Sequence, residues 1–331
     1  MPDELGRWAA RRAPELLARA EAEAVEELKG ALVEATLRNR AEARRDPGKP
    51  RVTEPTPPRG HGLWCYCVTR SGEPPPERTP GVHEAGPVER IEHAPLAVLV
   101  SRVPLAEFGE EALRGNLNDL DWLERVARSH ELVLERTLEQ TTIVPLRLCT
   151  IFEDEGGVRR MLDEQRSQLL AALELLSGRQ EWGIKLLADR DSLERAARGR
   201  RTEADADTDE AAQPSAGGAY MLRRRMERQV REEADRLAVG VAEDVHARLQ
   251  DWASDAVLNP PQNRDLSGHE GEMLLNGAYL VETPKVARLR ELVGELQGRH
   301  RELGVTLQLT GPWPPYNFVP HDPISERAAQ A

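Results

Sequence analysis

Large rings are scarce in this chain: six Trp, four Tyr and three Phe among 331 residues. Hydrophobic residues as a whole reach only 39%, below the usual globular share, so part of the chain lies outside any core. Cysteine is rarer still, and three is an odd count. That argues against a disulfide framework and for a reducing compartment. Long apolar runs are missing. The longest, Pro95-Leu96-Ala97-Val98-Leu99-Val100, falls far short of the roughly 18 residues a membrane span needs. Met1-Pro2-Asp3-Glu4-Leu5 has no basic stretch leading into an apolar one, so no secretory signal is read. Positive charge is in deficit, with 45 Lys+Arg against 57 Asp+Glu and a net charge of −12. Such a field repels polyanions and disfavours nucleic acid and anionic membranes as partners. The expectation is a soluble intracellular protein of about two domains.

Proline and charge divide what is present. Residues 1–45 carry Leu17, Ala20, Ala24, Leu28, Ala31 and Ala35 at helical spacing, a mostly Ala face that buries weakly and needs a partner. Pro47, Pro50, Pro55, Pro57 and Pro58 then mark a linker, which makes 1–60 a helical extension. Residues 61–178 read as an N-terminal α+β domain. Leu63 to Val68, Val88 to Ile91, Leu96 to Val100 and Thr141 to Leu146 have strand composition, and a turn at His93-Ala94-Pro95 joins the middle two. Asp121 to Leu138 is a helix, with Trp122, Val126, Leu134 and Leu138 at its spacing. Gly156-Gly157 reads as punctuation before a helix from Val158 to Leu176 that ends at Gly178.

Residues 179–320 read as a second domain. Strands fall at 182–187, 256–258, 274–281 and 305–309, with helices from Ser192 to about Ala253 and from Pro284 to His300. The order βαββαβ is ferredoxin-like. The first of these helices is interrupted at about 201–217, where Glu203, Asp205, Asp207, Asp209 and Glu210 make an acidic segment without periodicity, read as disordered. Residues 321–331 are a tail.

No motif supplies catalytic, cofactor or metal chemistry. Cys65 and Cys67 share a strand face by spacing, but zinc needs four ligands and Cys149 is the only other thiol; core packing is the expectation. Asp205-x-Asp207-x-Asp209 opens like a calcium loop, yet Glu210 stands where Gly is required and Ala216 where the bidentate Glu belongs. His130 beside Glu131 invites an acid–base reading, but neighbours i and i+1 on a helix do not face each other. Gly156-Gly157 is not followed by Lys-Ser/Thr, so it is no phosphate loop.

The densest feature is Gly311-Pro312-Trp313-Pro314-Pro315-Tyr316-Asn317-Phe318, where three prolines stiffen a segment holding one Trp, one Tyr and one Phe. Two readings stand. The segment closes the last strand, with Trp313 and Phe318 plugging the core, or it presents Tyr316 and its neighbours to a partner protein.

Six segments together resemble the gas vesicle GvpL/GvpF family. They are Gly62-Leu63-Trp64-Cys65-Tyr66-Cys67-Val68, Trp122-Leu123 with His130-Glu131, Val144 to Phe152, Trp182-Gly183-Ile184-Lys185, Asn276 to Val281, and Gly311 to Val319. They run in the family's order over residues 62–319, and the last is the most specific. Cys149 stands where members often have Gly. The resemblance implies two α+β domains, the second a modified ferredoxin-like fold. It further implies a non-enzymatic minor structural or assembly protein of gas vesicles within the cytoplasm, without cofactors, whose partners are the small hydrophobic shell protein and other accessory vesicle proteins. Trp313, Pro314, Pro315, Tyr316 and Phe318 are the expected structural or partner-binding motif. The competing readings are a ligand-sensing regulatory module and an enzyme on a ferredoxin-like scaffold.

Overall fold

The computed structural model describes residues 60–73, 79–84, 86–205, 216–261 and 271–319. The expected helical extension and linker before Gly60, the tail at 321–331 and residues 206–215 of the acidic segment lie outside the described residues. The chain divides into two units, Met1–Ser177 with Pro314–Ala331, and Gly178–Trp313. The sequence places everything up to residue 320 in the second domain; of the described residues, 314–319 instead fall in the first unit.

In the first unit β1 (His61–Arg70), β2 (Val88–His93) and β3 (Leu96–Pro104) are followed by helices α1 (Leu105–Phe108), α2 (Glu110–Asn116) and α3 (Leu120–Leu138). Short strands β4 (Val144–Pro145) and β5 (Ile151–Phe152) and helices α4 (Glu155–Glu164) and α5 (Arg166–Leu176) complete it. The sheet order is β2-β3-β1-β4, β5 also pairs with β1, and all neighbours are antiparallel. β1 is buried along its whole apolar run, because α3 and α5 both pack against it. Asp119 starts α3: its carboxylate accepts from the backbone N–H groups of Asp121 and Trp122, satisfying two otherwise orphaned donors.

Three local expectations differ. The strand expected from Thr141 to Leu146 is confined to Val144–Pro145, with the Leu146 N–H still donating to the Tyr66 carbonyl at 2.8 Å. The helix expected from Val158 to Leu176 is two helices that meet at Gln165, which has φ −108° and ψ 9°. Gly156-Gly157 is not punctuation but the first turn of α4, where the Gly157 N–H donates to the Asp154 cap.

The second unit runs β6 (Arg179–Ala188), α6 (Arg190–Asp205), α7 (Ala216–Trp252), β7 (Asp255–Asn259), β8 (Glu272–Glu282), α8 (Val286–Arg299) and β9 (Val305–Trp313). Its sheet order is β7-β8-β6-β9, every pair antiparallel. In βαββαβ numbering this is 2-3-1-4, the split βαβ arrangement expected of a ferredoxin-like fold. The core gathers Ile184 and Leu186 from β6, Tyr279 and Val281 from β8, a stripe of α7 from Val230 to Leu249, and Leu289, Val293 and Leu296 from α8. Helix extends into both ends of the segment expected to be disordered, to Asp205 and from Ala216.

Two motifs have a packing cause. Tyr279 lies back along β8 so that its ring edge stands 2.7 Å from where a Cβ of Gly277 would be, which is why Gly sits two residues before the Tyr on the same face. Gly304 ends the turn before β9 at φ +67°, and a Cβ there would run into Ser192. Gly294, by contrast, lies inside α8 with open space around it. Gly304→Ala should therefore destabilise the protein by at least about 1–2 kcal/mol, the left-handed penalty alone. Gly294→Ala should stabilise it by about 0.5–1 kcal/mol through helix propensity. Denaturant midpoints of the two variants should move in opposite directions.

Candidate functional site

Side chains with unusual chemistry collect in the first unit around β1 and α3. Trp64 and Tyr66 are fully buried and carry polar groups that must be satisfied inside the core. The Trp64 indole N–H donates to His130 Nδ1 at 3.0 Å. That assigns the imidazole its neutral form with the proton on Nε2. Tyr66 stacks on His130 with ring centroids 5.3 Å apart. The Tyr66 hydroxyl accepts from the Val82 backbone N–H at 2.9 Å and shares a 2.7 Å hydrogen bond with Ser101. Phe108 meets Trp64 edge-on and Trp122 beyond it, and the Trp122 N–H donates to Glu107 at 2.7 Å. Burial pulls the His130 pKa down to about 4. The Leu146 carbonyl offsets part of this, although Nε2 makes no full hydrogen bond.

Glu131 faces elsewhere. Its carboxylate accepts the Tyr316 hydroxyl at 3.0 Å, so the aromatic–proline segment docks against α3 at Glu131. Burial pushes the Glu131 pKa up to about 7; the Tyr316 hydrogen bond works against that and nearby Glu135 adds to it. His130 and Glu131 are adjacent in sequence and are not brought together in space, as i and i+1 positions on a helix require. The neighbours of the imidazole are Trp64 and Tyr66, not a nucleophile.

In the motif itself Phe318 is buried as the structural reading expects, while Trp313 is placed otherwise. Trp313 is the last residue of β9, paired with Glu181, and is only half-buried. Its indole lies over Gly183, whose Cβ would stand 3.4 Å from the Trp313 nitrogen and 2.8 Å from Thr310 Oγ1. The indole N–H donates to that hydroxyl at 3.0 Å. Gly183 lies between Trp182 and Ile184, which point into the core, so Trp313 covers the opposite sheet face and is not the core anchor. Pro314 and Pro315 are buried. Tyr316 packs against the first unit's core, and Phe318 is 7% exposed. Sequence reasoning missed the Tyr316–Glu131 contact because 185 positions separate the two; each lay in a recognised motif, with nothing to pair them.

Cys65 and Cys67 are free and buried, and a bulge at Tyr66 interrupts the register between them. Burial pushes all three thiols up, so they stay protonated and unreactive near neutral pH. Cys149 has φ +65°, the left-handed region that favours Gly. Among the described residues no group of three His, Cys, Asp or Glu side chains is placed to hold a metal, and no helix is long and apolar enough to cross a membrane.

Two predictions follow from this placement. Phe318→Ala should cost about 3–5 kcal/mol, as for a buried ring. Trp313→Ala should cost no more than about 2 kcal/mol, which urea titrations of both variants will rank. A raised carboxyl pKa makes the folded state hold a proton that the unfolded chain has lost, so stability falls as pH rises from about 4.5 through about 7. Glu131→Gln should therefore gain about 2–3 kcal/mol on the native protein between pH 5 and pH 8. A gap independent of pH would return Glu131 to the ordinary carboxylates.

The profile of the family described as gas vesicle synthesis protein GvpL/GvpF matches residues 62–320. Gas vesicle protein L of Streptomyces sp. (strain CB03234) is 36% identical over 259 residues, 77% of this chain and 92% of that protein. Gas vesicle protein L1 of Halobacterium salinarum is 24% identical over 282 residues, 81% and 92% of the two chains. In fold, the chain is similar to the crystal structure of GvpF from Microcystis aeruginosa, with TM-score 0.55 and 19% identity over 78% of this chain and 98% of that one. GvpF from Anabaena sp. PCC7120 is similar at TM-score 0.53 and 19% identity, over 78% and 96%. With the ordered motifs, the two-sheet fold and the profile in agreement, the chain belongs to the GvpL/GvpF family of gas vesicle synthesis proteins.

Proposed function

We propose that this protein is a non-enzymatic assembly factor of gas vesicles. It acts in the cytoplasm and at the growing vesicle, and binds the small hydrophobic shell protein together with other accessory vesicle proteins. The observation that carries this reading is membership of the family over residues 62–320. Subunits that bury apolar faces in a shell expose those faces before assembly and are prone to aggregate. A strongly acidic protein that engages them reversibly keeps them dispersed and delivers them in order.

The contact surface we assign to this task is the start of α7. Tyr220, Met221, Leu222 and Met226 are all about half exposed or more, Met221 at 68%. Arg223, Arg224, Arg225 and Arg228 surround them and are exposed too, and Arg224 leans over the Tyr220 ring. Exposed apolar side chains in one cluster, edged by guanidinium groups, suit an amphipathic protein partner with acidic residues beside its apolar ones. In this reading the Trp313–Phe318 motif is structural, since its most apolar members are turned inward.

Deletion of the gene in a vesicle-forming host should abolish vesicles seen by electron microscopy, and the wild-type gene should restore them. Met221→Asp with Leu222→Asp should fail to restore them, lose capture of purified shell protein and keep the native melting temperature. Normal vesicles in the deletion strain would sink the assembly role. Full rescue by the double variant would move the contact away from α7.

A further inference from the structure

Edge strands are where a sheet meets other proteins, and natural proteins commonly blunt them with charge. The edge strand β2 reads Val88-Glu89-Arg90-Ile91-Glu92-His93 and the edge strand β7 begins with Asp255. β9, the other edge of the second unit's sheet, is different. Its nine residues, Val305-Thr306-Leu307-Gln308-Leu309-Thr310-Gly311-Pro312-Trp313, hold no charged side chain in a chain that is 31% charged.

One side chain stands where a further strand would lie. Gln297 of α8 accepts the Leu307 backbone N–H on its Oε1 at 2.7 Å. Its Nε2 donates to the Val305 carbonyl at 2.7 Å. The Gln297 amide thus imitates one peptide group of a neighbouring strand. The same contacts define which backbone groups face outward: with a period of two, Val305, Leu307 and Leu309 turn their N–H and C=O groups away from β6. Gln297 closes the first part of this edge. The Leu307 carbonyl and both groups of Leu309 continue it, and Pro312 ends it for want of an N–H. Leu307 and Leu309 sit half-buried at the margin of the core, so a strand laid alongside would bury them further.

We propose that the β9 edge is a pairing surface for a second copy of this chain, β9 antiparallel to β9, and that the Gln297 side chain holds it closed. The strand complements itself. A two-fold axis beside Gln308 sets Gln308 opposite Gln308 and Leu307 opposite Leu309, so apolar meets apolar, amide meets amide, and no like charges oppose. Elsewhere a net charge of −12 repels a second copy. This inference concerns self-association alone and does not rest on the gas vesicle reading.

The test is sedimentation velocity on the full chain over a concentration series. Gln297→Ala frees the Leu307 N–H and the Val305 carbonyl, and should tighten self-association by about tenfold or more. Gln297→Glu can still accept from Leu307 but sets a carboxylate on the edge, and should remain as monomeric as the native chain. Gln297→Ala combined with Gln308→Lys should return to native behaviour, because two ammonium groups would then face each other. Circular dichroism and melting temperatures separate edge opening from unfolding, as both Gln297 variants lose the hydrogen bond to the Val305 carbonyl. The proposal is overturned if Gln297→Ala sediments like the native protein. It is equally overturned if Gln297→Glu associates as strongly as Gln297→Ala, or if Gln308→Lys leaves the association of Gln297→Ala intact.

Discussion

A buried tryptophan with an N–H to satisfy sets much of the first unit. Trp64 lies at the centre of β1 with no access to solvent, and a donor left unpaired there would cost about 1–3 kcal/mol. His130 accepts it, which in turn requires α3 to pass directly over β1 in a fixed rotation. Once α3 is so placed, Val126, Val133 and Leu134 meet the sheet. The next residue, Glu131, is then carried round to the face where the segment after β9 arrives. Tyr66, stacked on the same imidazole, extends the polar chain through Ser101 to the Val82 backbone. One hydrogen bond therefore decides where the helix lies, and the helix decides where the returning segment docks.

The two titratable groups at positions 130 and 131 make opposite demands. His130, held neutral with a pKa near 4, adds stability as pH rises from that value to its ordinary 6.5, because the unfolded chain binds the proton and the folded one does not. Glu131 removes stability as pH rises from 4.5 to about 7. Over the acidic range the slopes oppose, and above it only the carboxyl contributes. Burial causes both, acting on a cation in one case and an anion in the other.

Much of the architecture is legible in the sequence because its pattern is periodic. The Trp122–Leu138 helix, the strand at Leu63–Val68 and the βαββαβ order of the second unit are set by spacing, and each appears at its place within a few residues. What the sequence does not disclose depends on contacts between distant positions. Trp313 reads as a core anchor because large rings usually are; that Gly183 offers it a bare sheet face instead is a matter of register between β6 and β9. The placement of the glycines at the start of α4 follows from capping at Asp154, and the break at Gln165 is a backbone departure that composition does not announce. The role of Gln297 carries no sequence signature, since an amide on a helix surface is ordinary until a strand edge lies beside it.

The long helix α7 is two materials in one. From Val230 onward a side chain is buried at almost every turn, and those turns open only when the second unit's core does. From Tyr220 to Arg228 every side chain is exposed, over a length of about 13 Å at 1.5 Å per residue. There the helix is held by its own backbone bonds and by propensity, which for a short stretch is marginal in water. The two regimes share one continuous hydrogen-bond ladder, so fraying that enters at the exposed turns halts near Val230. The exposed turns thus behave as a folding reporter: any molecule that seats on them suppresses the fraying. Occupancy would be read as slowed amide exchange over fewer than a dozen consecutive residues, while the rest of the same helix remains unchanged.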